Sequence, residues 1–180
     1  MLIIISGVDR VGKTTVAKEI SNVFGIPYVK FSGPAKLKVG DPLLWARDTI
    51  IFHESILRLL ENLYEQKREV TAVIDRFYPD EIVYSKVIRN VDLYDAYRDI
   101  DERFANIGTK MVYVCPPDHN VLYERWKMED KVDIRHVNSL INRFDEFNSF
   151  TKLYVYELID SFFPNEIIDK LRRSIKVVKN

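Results

Sequence analysis

A chain of 180 residues, 47% of them hydrophobic, is long enough for one domain with a sizeable core, and that composition excludes intrinsic disorder. Lys plus Arg and Asp plus Glu each number 27, so the formal charge is zero. Extended binding along nucleic-acid phosphates, which leaves a basic excess, is therefore not expected. The single cysteine, Cys115, excludes an internal disulfide and a multi-cysteine zinc site.

No apolar run approaches the roughly 18–20 residues that span a membrane. The opening Met-Leu-Ile-Ile-Ile-Ser-Gly lacks the basic start and cleavage site of a signal peptide, so the cytoplasm is the expected compartment. With no repeat, low-complexity tract or Gly/Ser linker, residues 1–180 read as a single domain.

Leu2–Ser6 is nearly all apolar, as a central strand covered on both faces should be. It runs into Gly7-Val8-Asp9-Arg10-Val11-Gly12-Lys13-Thr14, a match to G-x-x-x-x-G-K-[ST] at every fixed position. After Lys13, the residues Val16, Ala17, Ile20 and Val23 keep helical spacing until Gly25-Ile26-Pro27. Tyr28–Phe31 reads as a second strand. A long helix is predicted from about Pro42 to Gln66, with Ile50, Ile56, Leu57, Leu60 and Leu63 as its buried face.

Val70–Ile74 is a second apolar strand and ends at Asp75. Pro79-Asp80-Glu81 opens a helix, since proline suits a first turn and acids suit its positive end. Tyr94, Tyr97 and Phe104 mark the next. Lys110–Cys115 is a fourth strand. Val137, Leu140, Ile141, Phe144 and Phe147 form an apolar helical stripe, Leu153–Tyr156 a fifth strand, and about 164–176 a last helix. Alternating strands and helices predict a three-layer α/β/α fold around a mainly parallel five-stranded sheet.

The glycine motif between a buried strand and an amphipathic helix is a P-loop, the phosphate cradle of ATP-using enzymes. Its glycines let backbone N–H groups turn toward the β- and γ-phosphates, and the helix directs its positive end at the same anion. Gly7, Val11, Gly12, Lys13, Thr14 and Thr15 are the expected ATP-binding residues. Lys13 supplies charge along the transferring phosphoryl group, and the Thr14 hydroxyl serves Mg²⁺.

Asp75, at the carboxyl end of a strand in the same sheet, is placed as a Walker-B acid is and is the second expected Mg²⁺ residue. Arg76 follows it where water-activating ATPases usually carry Glu. A cation there suits an acceptor phosphate and favours transfer over hydrolysis. No NKxD guanine signature occurs.

The segment Gly7-Val8-Asp9-Arg10-Val11-Gly12-Lys13-Thr14-Thr15 resembles the P-loop of thymidylate kinases, GxDxxGK[ST]T, in the subgroup with arginine after the Asp. Asp75-Arg76-Phe77-Tyr78-Pro79-Asp80-Glu81-Ile82-Val83-Tyr84-Ser85 is similar to the family's DRYxxSxxAYQ segment. The resemblance implies transfer of the γ-phosphoryl group of ATP to a deoxynucleoside monophosphate, dTMP or a related pyrimidine, with a mobile lid and often a homodimer.

It also implies roles. Arg10 would contact the transferring phosphoryl group, Asp9 would orient the acceptor, Asp75 would join the metal network, Arg76 would bind the acceptor's 5′-phosphate, and Phe77 and Tyr84 would shape the nucleoside pocket. Three places depart from the family. Its Ser/Thr is Asp80 and its Gln is Ser85; its Glu-Pro-Gly after the second strand is Phe31-Ser32-Gly33-Pro34; and its base-contacting arginine has no counterpart in register. Arg58, ahead of Arg47, is taken for that last role.

Arg125, Lys127, Lys131 and Arg135 fall where nucleotide kinases put a cationic lid, about 124–136, with Arg125 first among them as an ATP contact; interleaved acids leave a solvated helix face as the other reading. Lys36 and Lys38 read as surface lysines and His53 as structural or exposed. Three rivals share the sequence features: a nucleoside kinase, a kinase of hydroxylated bases in DNA, and a nucleotide-binding regulatory protein without catalysis. The first two phosphorylate a neutral hydroxyl and need a carboxylate base, for which Asp75 or Asp9 are the candidates.

Overall fold

The computed structural model describes residues 1–31, 41–115, 118–127, 136–158 and 165–178. Five strands alternate with seven helices among them: β1 (Leu2–Ser6), α1 (Lys13–Phe24), β2 (Tyr28–Lys30), α2 (Pro42–Glu65), β3 (Ala72–Asp75), α3 (Tyr78–Arg89), α4 (Tyr94–Asn106), β4 (Lys110–Val114), α5 (His119–Lys127), α6 (His136–Phe150), β5 (Tyr154–Leu158) and α7 (Asn165–Val178). The sheet order is β2-β3-β1-β4-β5 and every pairing is parallel. This is the three-layer α/β/α arrangement expected from the alternating pattern.

Register makes the sheet useful. Ile5 lies opposite Asp75, Lys30 is also opposite Asp75, and the Arg76 amide donates to the Ile5 carbonyl at 3.0 Å. The carboxyl ends of β2, β3 and β1 are therefore flush, and whatever follows them meets at one edge. All five residues of β1 are buried, as a strand flanked by two others and covered on both faces must be. β2 and β4 each end one residue short of their expected bounds, and two strands shift further. β3 starts at Ala72 rather than Val70, and β5 runs to Leu158, whose carbonyl accepts from the Cys115 amide at 2.8 Å. Both shifts follow from pairing with a neighbour, which local apolar content does not encode.

Helix ends follow local chemistry. Gly25, at φ 63°, closes α1 and returns its amide to the Ser21 carbonyl. Asp41 Oδ1 accepts from the Leu43 and Leu44 amides while Pro42 takes the first helical position of α2. The stripe on α6 is buried at all five expected positions, and α6 packs against α3. α3 departs from expectation: its first eight residues, Tyr78 to Ser85, are all buried, so Asp80 and Glu81 are interior acids and not solvated helix-start acids.

Asp101 of α4 joins three elements. It accepts from the Tyr78 hydroxyl at 2.7 Å, the Thr151 hydroxyl at 2.7 Å and the Lys152 amide at 2.6 Å. Tyr78 in turn stacks on Tyr97 and Phe104. Removing a carboxylate that satisfies three donors, one of them the fully buried Tyr78 hydroxyl, leaves those donors unmet. Asp101→Ala should lower unfolding free energy by about 2–4 kcal/mol in urea titration, whereas a surface control, Asp95→Ala, should change it by less than about 0.5 kcal/mol.

Candidate functional site

β1 passes directly into Gly7, which adopts φ 141°; a Cβ there would lie 2.5 Å from the Val114 carbonyl oxygen of β4. Only glycine lets the chain cross the sheet edge so closely. Arg10 at φ 74° and Gly12 at φ 94° then curl the loop back to α1. Three side chains fasten it from outside. The Asp9 amide donates to the Tyr84 hydroxyl at 2.9 Å, Trp126 Nε1 donates to the Asp9 carbonyl at 2.9 Å, and Arg125 donates to the Arg10 carbonyl at 3.0 Å. Val11 is fully buried beneath the loop, and Thr15, at the first turn of α1, is exposed.

Lys13 is 4% exposed, and its ammonium donates to the Gly7 and Val8 carbonyls at 2.5 and 2.8 Å. Asp9 Oδ1 lies 3.4 Å away and Asp80 Oδ1 3.8 Å. Burial draws its pKa below the ordinary lysine value, against the attraction of Asp9 and Asp80. Asp9 also pairs with Arg76 at 2.7 Å. Burial acts to raise Asp9, but Lys13 and Arg76 outweigh it and hold the carboxyl below its usual range.

Arg76 adopts φ 67°, an unusual backbone for a side chain of its size, at the residue just beyond β3. Burial would lower its pKa, but Asp9 and Asp80 outweigh that and keep it raised.

The Thr14 hydroxyl donates to Asp75 Oδ2 at 2.6 Å, and the Tyr28 hydroxyl donates to the same oxygen at 2.9 Å. Burial and that bond push the Tyr28 phenol up to about 12. Lys30 stands 3.8 Å from Asp75. Asp75 is fully buried, yet its Oδ1 has no hydrogen-bond partner. A hydroxyl and a carboxylate side by side, with one carboxylate oxygen unsatisfied, fit a hard divalent cation that takes its other ligands from water and phosphate. Among the described residues no group of three or more His, Cys, Asp or Glu is arranged to hold a metal by itself.

Beside the loop lies a cavity of about 250 Å³ lined by Phe31, Trp45, Asp48, Thr49, Phe52, His53, Arg76, Phe77, Asp80 and Glu81. Phe77 meets Phe31 at 5.1 Å and His53 at 4.5 Å between ring centroids. His53 is buried, bonded through Nδ1 to the Tyr97 hydroxyl at 2.7 Å, and burial lowers its pKa to about 3, so it is neutral. Asp80 is 2% exposed and accepts from the Ser6 hydroxyl at 2.8 Å. Burial raises it to about 6 against the pull of Lys13 and Arg76.

The expected site residues Asp9, Arg10, Lys13, Thr14, Asp75, Arg76, Phe77 and Arg125 thus gather at one sheet edge. Two do not sit where the sequence suggested. Tyr84 does not line the cavity; its hydroxyl is beneath the loop at the Asp9 amide, because α3 turns that face inward. Arg58 is 69% exposed and paired with Glu54 one helical turn away, outside the cavity lining. Arg47 is likewise exposed and paired with Asp48. Lys131 and Arg135 of the expected lid, Lys36, Lys38 and the Ser32-Gly33-Pro34 departure lie outside the described residues.

Sequence reading passed over Asp80, Glu81, Trp45, Phe52 and Trp126. Asp80 and Glu81 carried a signal, as acids four and five residues beyond Arg76 on a helix whose Tyr84 and Ser85 would share their face.

No protein-family model matches the chain, and neither does any curated protein. Solved structures do. The YorR protein of Bacillus subtilis, crystallised with phosphorylated GDP, is 23% identical, with a TM-score of 0.70 over 99% of this chain and 98% of that one. A deoxyadenosine kinase from M. mycoides, with the products dCMP and dCDP, is 20% identical with a TM-score of 0.54 over 98% and 100%. A thymidylate kinase from Ehrlichia chaffeensis is 17% identical with a TM-score of 0.59 over 95% and 98%. The chain has the P-loop nucleotide kinase fold. At these identities the likeness is one of fold.

Asp80 gives a pH test with a definite sign. Its pKa is 3.8 ordinarily and about 6 when folded, so the folded chain holds this proton more tightly. Its contribution to stability is greatest below the unfolded value and is lost as pH rises through 6. Asp80→Asn removes that dependence. In urea unfolding without nucleotide, the variant should gain about 1–3 kcal/mol on the wild type between pH 4 and pH 7. A constant difference would show that the carboxyl is not raised.

Proposed function

We propose that this protein is an ATP-dependent kinase that transfers the γ-phosphoryl group to a deoxynucleoside monophosphate, dTMP or a related pyrimidine, giving the diphosphate. The observation that carries this reading is Arg76, which lines the aromatic cavity and also pairs at 2.7 Å with Asp9 of the phosphate loop. A cation at the seam between a donor loop and an aromatic pocket suits the phosphate of an acceptor whose base enters the pocket.

Lys13 and Arg10 act on the donor phosphates. The carbonyl oxygens that now receive the Lys13 ammonium exchange for phosphate oxygens when ATP binds. Thr14 and Asp75 would hold Mg²⁺, which would supply charge neutralisation for the phosphoryl group in transfer. Asp9 orients Arg76, and Arg125 fixes the loop crown near the nucleotide. A phosphate acceptor is already ionised near neutral pH, so the chain's work is positioning and electrostatics, with no strong base needed. The single-domain organisation with a lid at about 124–136, a cytoplasmic setting and a homodimer belong to the same proposal. Exposed Leu44, Ile51 and Leu59 on α2 give such a dimer an apolar face. Among the described residues no helix is long and apolar enough to cross a membrane.

Lys13→Ala should cut kcat at least about a hundredfold in an Mg²⁺-dependent ATP-to-ADP assay with monophosphate acceptors. Arg76→Met should raise KM for the monophosphate at least about tenfold, the loss of one charged hydrogen-bonded anchor, while KM for ATP stays within about twofold. Near-normal turnover in Lys13→Ala overturns the kinase assignment.

One observation favours a second reading, transfer to a hydroxyl of a nucleoside. Asp80 is a buried carboxylate that lines the cavity beside Lys13, which is where a base for a hydroxyl acceptor belongs. Activity on deoxynucleosides but not on their monophosphates, abolished by Asp80→Asn, would select it.

A further inference from the structure

We infer that the acceptor cavity selects a base bearing an exocyclic amino group, cytosine rather than thymine or uracil, and that Glu81 reads that amino group. The inference rests on the acceptor cavity of the proposed function and narrows its substrate.

Glu81 is 3% exposed, on the first turn of α3, and lines the cavity. Its Oε1 receives three donors: Trp45 Nε1 at 3.0 Å, the Ser85 hydroxyl at 2.7 Å and the Arg89 guanidinium. Oε2 receives none among the described residues, and it is not one of the buried polar atoms sealed away without a partner. One carboxylate oxygen is fixed by the protein and the other is left open. Burial raises the pKa of Glu81, opposed by Arg89, which also lies over the Trp45 ring.

One other residue of the described lining offers an acceptor too. The Thr49 hydroxyl spends its proton on the Trp45 carbonyl at 2.8 Å, leaving lone pairs. The Trp45 N–H is committed to Glu81. Arg76 is the cation of the described lining, and it faces the loop through Asp9. Arg76, Phe77, Glu81 and the α2 residues line the same cavity, so a phosphate held at Arg76 leaves the space beside Phe77 and Glu81 for the base.

The Watson–Crick edges of the pyrimidines differ in what they offer such a wall. Cytosine presents an N4 amino donor where thymine and uracil present the O4 carbonyl. Against Glu81 the amino group completes the open Oε2, whereas O4 places two acceptors face to face. A site built to bond one donor rejects the analogue lacking it far more strongly than a hydrophobic pocket rejects a missing methyl group.

The deciding pair is dCMP and dUMP, equal in size and different at position 4. Wild-type protein with ATP and Mg²⁺ should show kcat/KM at least about tenfold higher for dCMP than for dUMP or dTMP. Glu81→Gln, whose amide can donate to O4, should reduce that ratio at least about fivefold, mostly by lowering KM for dUMP. Equal or better turnover of dUMP or dTMP by the wild type overturns the base preference while leaving the proposed function standing. An unchanged ratio in folded Glu81→Gln overturns the role of Glu81. Equilibrium binding of deoxycytidine and deoxyuridine separates the two proposals: a protein inert toward every monophosphate that still binds deoxycytidine at least about tenfold tighter keeps the preference and overturns the monophosphate kinase. Binding of neither nucleoside, with no transfer, overturns both.

Discussion

The buried ammonium of Lys13 is the charge around which the sheet edge is organised. An unpaired ammonium at 4% exposure would be untenable, and it is held by two loop carbonyls, Asp9 and Asp80. Asp9 is shared with Arg76, and Asp80 is shared with Ser6. Loop, β1, β3 and α3 are therefore fastened to each other through ionised groups and not only through apolar packing. Such a network tolerates exchange of partners better than loss of them, and exchange of carbonyl for phosphate oxygen is what a nucleotide brings.

Backbone strain sits at the same place. Gly7, Arg10, Gly12 and Arg76 all have positive φ, and two of these are arginines, which occupy that region at a cost of order 1–3 kcal/mol each. The surroundings hold them there. The Arg76 amide is bonded to Ile5, and the Arg10 carbonyl accepts from Arg125. Flush register of β1 and β3 forces the chain to turn immediately after Asp75, and a left-handed residue makes the tightest such turn. The guanidinium is thereby delivered to Asp9 and the cavity instead of continuing along the strand direction.

Much of the donor half was legible in the sequence because a P-loop is written in contiguous residues. Gly7 through Thr14 specify their own turn, and β1 and α1 on either side are apolar in the patterns a buried strand and an amphipathic helix require. The acceptor half was legible only in outline. Arg76 and Phe77 follow a strand end and could be placed from it. Tyr84 could not, since which face of α3 meets the loop depends on how α3 packs on α6, and the hydroxyl ended beneath Asp9. Arg58 looked available as a charge on a long helix, but α2 turns that face to solvent.

By itself the sequence determined the alternation of strands and helices, the phosphate loop, the ends of α1 and α2 and the apolar stripe of α6, all of which follow from spacing, capping and turn chemistry within a few residues. Tertiary structure alone decided the sheet order, the opposition of Ile5 and Asp75, the burial of Asp80 and Glu81, and the meeting of Trp45, Phe52, His53 and Phe77 around one cavity. Those features join residues far apart in the chain. Their energies come from excluding water between elements, and neither local propensity nor periodicity carries a record of which faces will meet.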